Sequence, residues 1–345
     1  MSSIHQLHLI DPHAEPSTGG GTTGARRREP ASAGDPREWR LVERAVAGQY
    51  QLQRLLARGG MGAVYLAQER VLRRRVAIKV LDLASAGTAE RRDRFRAEAR
   101  VMAGLSHPSI VPVHAYGERE GVHWYAMSYV RGESLAARLR REGRLPAAEV
   151  RRILAEVADA LDYVHRRGVV HRDVKPENIL LDTETGHAVL VDFGVAADPI
   201  VWRRGAEAGV AFGTPWYMSP EQVVAERELD GRSDVYALGV LGYLLLSGRL
   251  PFVGETFQEV AAQHLSRAPR ALRALAPHAP ADLCATIMRC LAKDPAARWP
   301  DARALARAVA EPHGRLSSLR HGRAARIAGR AGRELRAWLG LASPA

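Results

Sequence analysis

The sequence predicts an α+β chain in two lobes, a small one of mainly antiparallel strands with one helix and a larger one that is mainly α-helical. Three observations predict it. From Tyr50 to Leu83, strand patterns alternate with turns, and glycines break the run between Gly59 and Gly62. Beyond Gly132 the texture becomes helical, with an apolar stripe at Val150, Ile153, Leu154, Val157, Leu161 and Val164. A length of 345 residues exceeds one small domain and suits two lobes with extensions.

The elements follow in order. Residues 1–48 are rich in Gly, Ser, Thr and Pro, including the run Ser17-Thr18-Gly19-Gly20-Gly21-Thr22-Thr23-Gly24. Such a segment buries too little apolar surface to offset its ordering entropy, which predicts a disordered arm. The small lobe, 49–130, contains three strands, a helix over Thr88–Gly104, and two further strands around the turn at Glu118–Gly121. The larger lobe, 131–311, begins with a helix over Pro146–Arg167. Short strands at Ile179–Asp182 and Ala188–Val191 interrupt the helical texture. Ser233–Ser247 is apolar nearly all round and so reads as a core helix, followed by three weaker helices ending near Glu311.

The segment 312–345 is basic. On a helical wheel Ala324, Ile327, Ala328, Ala331, Leu335, Trp338 and Leu339 share one face, and Arg326, Arg330, Arg333 and Arg336 share the other. This is the pattern of an amphipathic helix that docks on an anionic membrane or on a partner. A frayed, solvated tail is the alternative, because Gly329 and Gly332 lie inside it.

Composition excludes several classes. No stretch reaches the roughly 18 consecutive apolar residues of a membrane span, and the polar start Met1-Ser2-Ser3-Ile4-His5-Gln6 lacks a signal-peptide pattern. Cys284 and Cys290 are too few for a disulfide framework. A cytoplasmic protein is the expectation, held at the inner membrane face if the tail docks there. The formal net charge of +12 invites a nucleic-acid partner. However, seven Arg against one Glu in the tail account for half of it, and no aromatic–basic alternation accompanies the charge. No specific nucleic acid is expected.

Only three lysines stand among the 50 Lys and Arg residues: Lys79, Lys175 and Lys293. They mark positions where a compact ammonium serves and a planar guanidinium does not. Lys79 ends the strand pattern Val76-Ala77-Ile78-Lys79, fifteen residues after the Gly-rich turn Ala57-Arg58-Gly59-Gly60-Met61-Gly62-Ala63-Val64. Glycines in such a turn let backbone N–H groups approach phosphate oxygens. Taken alone, this turn reads more readily as a common β-hairpin. The following helix offers Glu98 as an ion-pair partner that holds the Lys79 ammonium against phosphates; alone, Glu98 reads as a solvated helix charge.

The strongest element is His171-Arg172-Asp173-Val174-Lys175-Pro176-Glu177-Asn178, followed by Asp192-Phe193-Gly194. In this order and spacing the motifs match those of phosphoryl transfer, in which Asp173 would accept the proton of an acceptor hydroxyl, Lys175 would steady the γ-phosphate, and Asn178 and Asp192 would hold Mg2+.

With these motifs, Tyr50 to about Glu311 resembles the eukaryotic-type Ser/Thr protein kinases of bacteria. The segment Gly213-Thr214-Pro215-Trp216-Tyr217-Met218-Ser219-Pro220-Glu221 is similar to the family's substrate-docking segment, and Arg298 stands where the family places the partner of Glu221. Asp234 stands where the family braces the catalytic loop. Ala57 departs from the pattern, standing where the family's first loop glycine falls. The resemblance implies the bilobal protein kinase fold and ATP with Mg2+, or Mn2+ in its place. It implies a hinge at Met127, Tyr129 and Val130, with Met127 as gatekeeper and Glu133 near the ribose. Val64, Ala77 and Leu180 would sandwich the purine, beneath the loop of Ala57, Gly59, Gly60 and Gly62. Met102, Val113, His171 and Phe193 resemble the apolar stack that links the lobes. Thr214 and Lys175 match the Ser/Thr class, with protein substrates and the chain itself as acceptors.

No Ser, Thr or Tyr lies between Gly194 and Gly213. Arg172, which receives a loop phosphate in many relatives, is therefore expected to pair with Asp198 or Glu207 or to stay unpaired. Two functions remain open at this point: an active kinase, or an ATP-binding pseudokinase acting as a signalling scaffold. The joint presence of Lys79, Asp173, Asn178 and Asp192 favours the first, since a scaffold does not need Asp173.

Overall fold

A computed structural model of the chain describes residues 35–59, 62–81, 88–193, 215–226 and 228–310. The small lobe is an antiparallel sheet of β1 (Tyr50–Gly59), β2 (Gly62–Glu69), β3 (Arg75–Leu81), β4 (Val113–Arg119) and β5 (Val122–Ser128), in the order β1-β2-β3-β5-β4. Period-two alternation splits each central strand between two cores. On β3, Ala77 and Leu81 join one cluster while Val76, Ile78 and Val80 join the other. On β5, Tyr125 and Met127 face the first, and Val122, Trp124 and Ala126 the second. Helix α2 (Ala89–Ala103) packs on the first face through Phe95, Ala99 and Met102.

The opposite face is covered by α1 (Pro36–Val46), which corrects the expectation of a disordered arm through residue 48. Asp35 caps the helix by accepting from the Arg37 N–H at 2.9 Å, Pro36 opens it, and Val42, Ala45 and Val46 are buried against the second cluster. Burial of that apolar face, not local composition, orders the segment. The rest of the arm, 1–34, and the tail, 312–345, with its expected docking face, lie outside the described residues.

In the larger lobe, the small sheet β6 (Gly132–Ser134), β7 (Ile179–Asp182) and β8 (Ala188–Leu190) lies beside helices α3 (Leu135–Glu142) and α4 (Ala147–His165). The sequence pattern predicts neither β6 nor α3. β6 is three residues long and is defined by its pairing with β7, and the Ser134 side chain caps α3 by accepting from the Ala137 N–H at 3.1 Å. After α5 (Pro220–Val223) comes α6 (Gly231–Ser247), buried on nearly every side as its composition predicts. Around it stand α7 (Phe257–Ser266), α8 (Leu272–Leu275), α9 (Ala281–Cys290) and α10 (Ala302–Ala310). Gly239 lets α9 approach α6, since a Cβ there would lie 2.4 Å from that of Cys290. Among the described residues no helix is long and apolar enough to cross a membrane.

Candidate active site

Two charged clusters form where the lobes meet. The first joins Lys79 and Glu98 of the small lobe to Asp192 of the larger one. β3 turns the Lys79 side chain to the face that α2 covers, where its Nζ stands 2.8 Å from Glu98 Oε1 and 3.1 Å from Asp192 Oδ1. The Tyr125 hydroxyl donates to the same Glu98 oxygen at 2.8 Å. Burial alone would pull the Lys79 pKa down, but the carboxylates of Asp192 and Glu98 reverse this and hold it well above its ordinary value. The lysine is a permanent cation. Tyr125 is a member of this cluster that sequence motifs do not reveal; only its place in the strand alternation marks it as inward.

The second cluster is the loop after α4. Lys175 Nζ donates to Asp173 Oδ2 at 2.7 Å, and Asn178 Nδ2 donates to the Asp173 carbonyl and to Oδ2, both at 2.9 Å. The loop is braced from below by Asp234 of α6, which accepts from the backbone N–H of His171 and of Arg172 at 2.8 Å each and from His165 Nε2 at 2.7 Å. Arg172 takes φ +67°, a left-handed conformation that costs a non-glycine residue on the order of 1 kcal/mol and is held by these bonds. Gln222 Nε2 donates to the Arg172 carbonyl at 2.9 Å and so ties the loop to α5.

The clusters are joined through the backbone. The Val191 N–H donates to the Asn178 carbonyl at 3.1 Å, which brings Asp192, the next residue, alongside Asn178. Phe193 stacks on His171 with ring centroids 4.6 Å apart, inside the same core as Met102 and Val113. Burial lowers the His171 pKa, so the ring is neutral and packs as an apolar group.

The donor set fits a hard divalent cation. Asn178 commits its Nδ2 to Asp173, which leaves the amide oxygen as its acceptor, and Asp192 is a carboxylate about a third exposed at the cleft. Two protein oxygens, with phosphate and water completing the shell, suit Mg2+.

The apolar residues expected around a purine are brought together. Ala77 and Met127 are in the first core, and Val64 and Leu180 pack against it from β2 and β7. Tyr129 and Val130 follow β5 as half-buried residues. Ala57 lies in the β1–β2 ladder opposite Val64, beside a register shift at Leu55/Ala57. Gly59 pairs with Gly62, whose φ of +142° requires glycine. Glu133, expected near the ribose, lies on β6 at the start of the larger lobe. Both of its oxygens accept from Arg141 of α3, at 2.5 and 2.7 Å, and the Arg141 bond holds its carboxyl below the usual value. Gly60, Thr214 and the segment 195–212 with the partners expected for Arg172 lie outside the described residues.

Further down, Arg298 donates to Glu221 Oε1 and Oε2 at 2.7 and 2.8 Å, and Ser233 Oγ donates to Oε1 at 2.6 Å. Burial alone would raise the Glu221 carboxyl, but the Arg298 bonds hold it below its ordinary 4.5. A carboxyl depressed in the folded state contributes stability in full above its unfolded value and loses it as pH falls through the folded one. Thermal stability is therefore expected to decline as pH drops below 4.5, and a Glu221→Gln variant is expected to show a shallower decline in a pH series of melting curves. The third lysine, Lys293, packs over the Phe252 ring at 4.0 Å and donates to the Gln263 carbonyl at 3.2 Å. Burial and nearby Arg298 pull it down to about 7. Its contacts, to Phe252, Tyr236 and Gln263, are all to residues of the larger lobe.

Comparison with known proteins agrees with this geometry. The protein kinase domain family matches residues 50–309. Serine/threonine-protein kinase PknA of Mycobacterium tuberculosis is 42% identical over 274 residues, covering 77% of this chain and 61% of the relative. Serine/threonine-protein kinase pkn2 of Myxococcus xanthus is 40% identical over 284 residues, covering 80% of this chain and 34% of the relative. The chain thus spans a third to three fifths of the length of these curated relatives. Among solved structures, the PknI kinase domain of Mycobacterium tuberculosis superposes with a TM-score of 0.59 at 34% identity, covering 76% of this chain and 95% of that one. A match over most of the chain, with relatives at this identity and the two charged clusters in register with the motifs, makes this chain a member of the protein kinase domain family.

Proposed function

We propose that the chain is a serine/threonine protein kinase that transfers the γ-phosphoryl group of Mg-ATP to hydroxyls of protein substrates and of itself. The observation that carries it is the junction of the two clusters, with Lys79–Glu98–Asp192 on one side and Asp173–Lys175–Asn178 on the other. Bound Mg-ATP supplies the electrophilic phosphoryl group; the rest is positioning and electrostatics by the protein.

In this reading Val64, Ala77 and Leu180 enclose the base, and Met127, Tyr129 and Val130 offer it the strand end. Lys79, fixed by Glu98, presents its ammonium to phosphate oxygens. Asn178 and Asp192 hold the cation. Asp173 orients the acceptor hydroxyl and takes its proton, while the Lys175 ammonium beside it neutralises charge that develops there. Thr214 would complete the acceptor site. The scaffold alternative has no observation in its favour, because it gives Asp173 and its two donors no work.

The test is label transfer from γ-phosphate-labelled ATP to myelin basic protein with Mg2+ or Mn2+. Label is expected on Ser and Thr. Label on Tyr alone would overturn the acceptor class, and no transfer by folded, nucleotide-bound protein would leave the scaffold.

A further inference from the structure

Helix α1 does more than cover a sheet. Its Glu38 is the third residue of the helix, where a glutamate commonly folds back on its own N-terminus. Here its side chain is turned to the sheet and is 15% exposed. Glu38 Oε1 accepts from the Tyr65 hydroxyl at 2.9 Å, and Oε2 accepts from Arg58 Nη2 at 2.7 Å. The neighbouring Trp39 meets the Tyr65 ring edge-on, with centroids 5.7 Å apart. Tyr65 is 1% exposed, and burial, helped by Glu38, raises its pKa and keeps the hydroxyl a donor.

Both partners belong to the Gly-rich hairpin. Arg58 is the residue before Gly59 and pairs with Ala63 across the ladder. Tyr65 follows Val64. Strand alternation turns Tyr65 to the α1 side and Val64 to the cleft side, as their membership of separate cores shows. A displacement of Tyr65 therefore moves Val64 with it. The other end of α1 is tied to the β4–β5 turn, where Arg44 Nε donates to Glu120 Oε2 at 3.0 Å. The helix thus bridges the hairpin and the far edge of the sheet.

We propose that Glu38 is a positioning residue for nucleotide: through Tyr65 and Arg58 it holds the β1–β2 strands at the height at which Val64 packs over the base of ATP. This rests on the kinase reading and adds to it an element outside the matched residues 50–309. The exposed Arg58 arm alone contributes little, since such pairs are weak. The buried phenol–carboxylate bond carries the larger share, because breaking it leaves a polar group without its partner.

The experiment uses the full chain with Glu38→Ala, Glu38→Gln, Tyr65→Phe and the Glu38→Ala/Tyr65→Phe pair. Calorimetry with the non-hydrolysable analogue AMP-PNP gives Kd, steady-state transfer to myelin basic protein gives KM and kcat, and melting curves report folding. Glu38→Ala and Tyr65→Phe are each expected to raise Kd and KM for ATP about three- to tenfold, with kcat and the acceptor KM within about twofold. Glu38→Gln, which still accepts from Tyr65, should recover most of the affinity, and the double variant should be no worse than either single one. Unchanged Kd in both single variants overturns the proposal. So does a loss of kcat that follows the melting temperature while KM for ATP stays constant. Wild-type protein that binds nucleotide but transfers no phosphate defeats the kinase reading and leaves the Kd comparison decisive here. Wild-type turnover with Kd indifferent to Glu38 defeats this inference alone.

Discussion

An Asp173→Asn variant is expected to retain nucleotide and lose turnover, with kcat lower by about a hundred- to ten-thousandfold. The replacement is nearly isosteric. An amide oxygen can still accept from Lys175 Nζ and Asn178 Nδ2, which lie 2.7 and 2.9 Å from the native carboxylate, so the loop should keep its shape. What is removed is the negative charge facing Lys175 and, with it, the capacity to take a proton. Neither Lys79 nor Asp192 bonds Asp173 directly, and nucleotide affinity should change little. Label transfer measured beside AMP-PNP calorimetry separates the two quantities. A variant retaining a tenth or more of wild-type kcat would show that Asp173 is not the base.

The second large effect is on stability. Glu221→Ala is expected to cost about 3–5 kcal/mol, because it leaves the Arg298 guanidinium fully buried with no counter-charge. For a domain of this size that corresponds to a melting temperature lower by roughly 10 °C. The remaining donors of Arg298 reach only backbone carbonyls, those of Ala292, Arg232 and Lys293. These satisfy hydrogen bonds without balancing the charge. Replacing both partners with apolar residues, Glu221→Leu with Arg298→Met, should recover much of the loss, since no ion is then left unpaired. Chemical denaturation of the two single variants and the double one measures the coupling. A single-variant cost below about 1 kcal/mol would mean that water reaches the pair.

Much of this architecture was legible in the sequence, for identifiable reasons. Lys79, Asp173, Asn178 and Asp192 are each placed by a short motif on a strand end or a tight loop, where spacing translates directly into geometry. The small-lobe strands and α4 were legible because their apolar periods are strong. The Glu133–Arg141 pair was not legible, because Arg141 lies on α3, and α3 is short, Arg-rich and ordered mainly by its cap and its neighbours. The Ser219–Gln222 capping box was present as Ser-Pro-Glu-Gln, with Ser219 Oγ accepting from the Gln222 N–H at 3.3 Å and Gln222 Oε1 accepting from the Ser219 N–H at 3.0 Å. It could have been read as the start of α5. Tyr125 and His165 could not: each touches the site through a side chain whose partner lies dozens of residues away.

α1 was hidden for a different reason. Its eleven residues are outweighed by the Gly- and Ser-rich composition before them, and its apolar face has no meaning until a sheet is there to receive it. The folding unit therefore extends upstream of the Tyr50 at which sequence similarity begins, to include Asp35 and α1. Trimming to the similarity boundary would uncover Trp124, Val76 and Ile78 on the back of the sheet and replace a packed surface with a greasy, self-associating one.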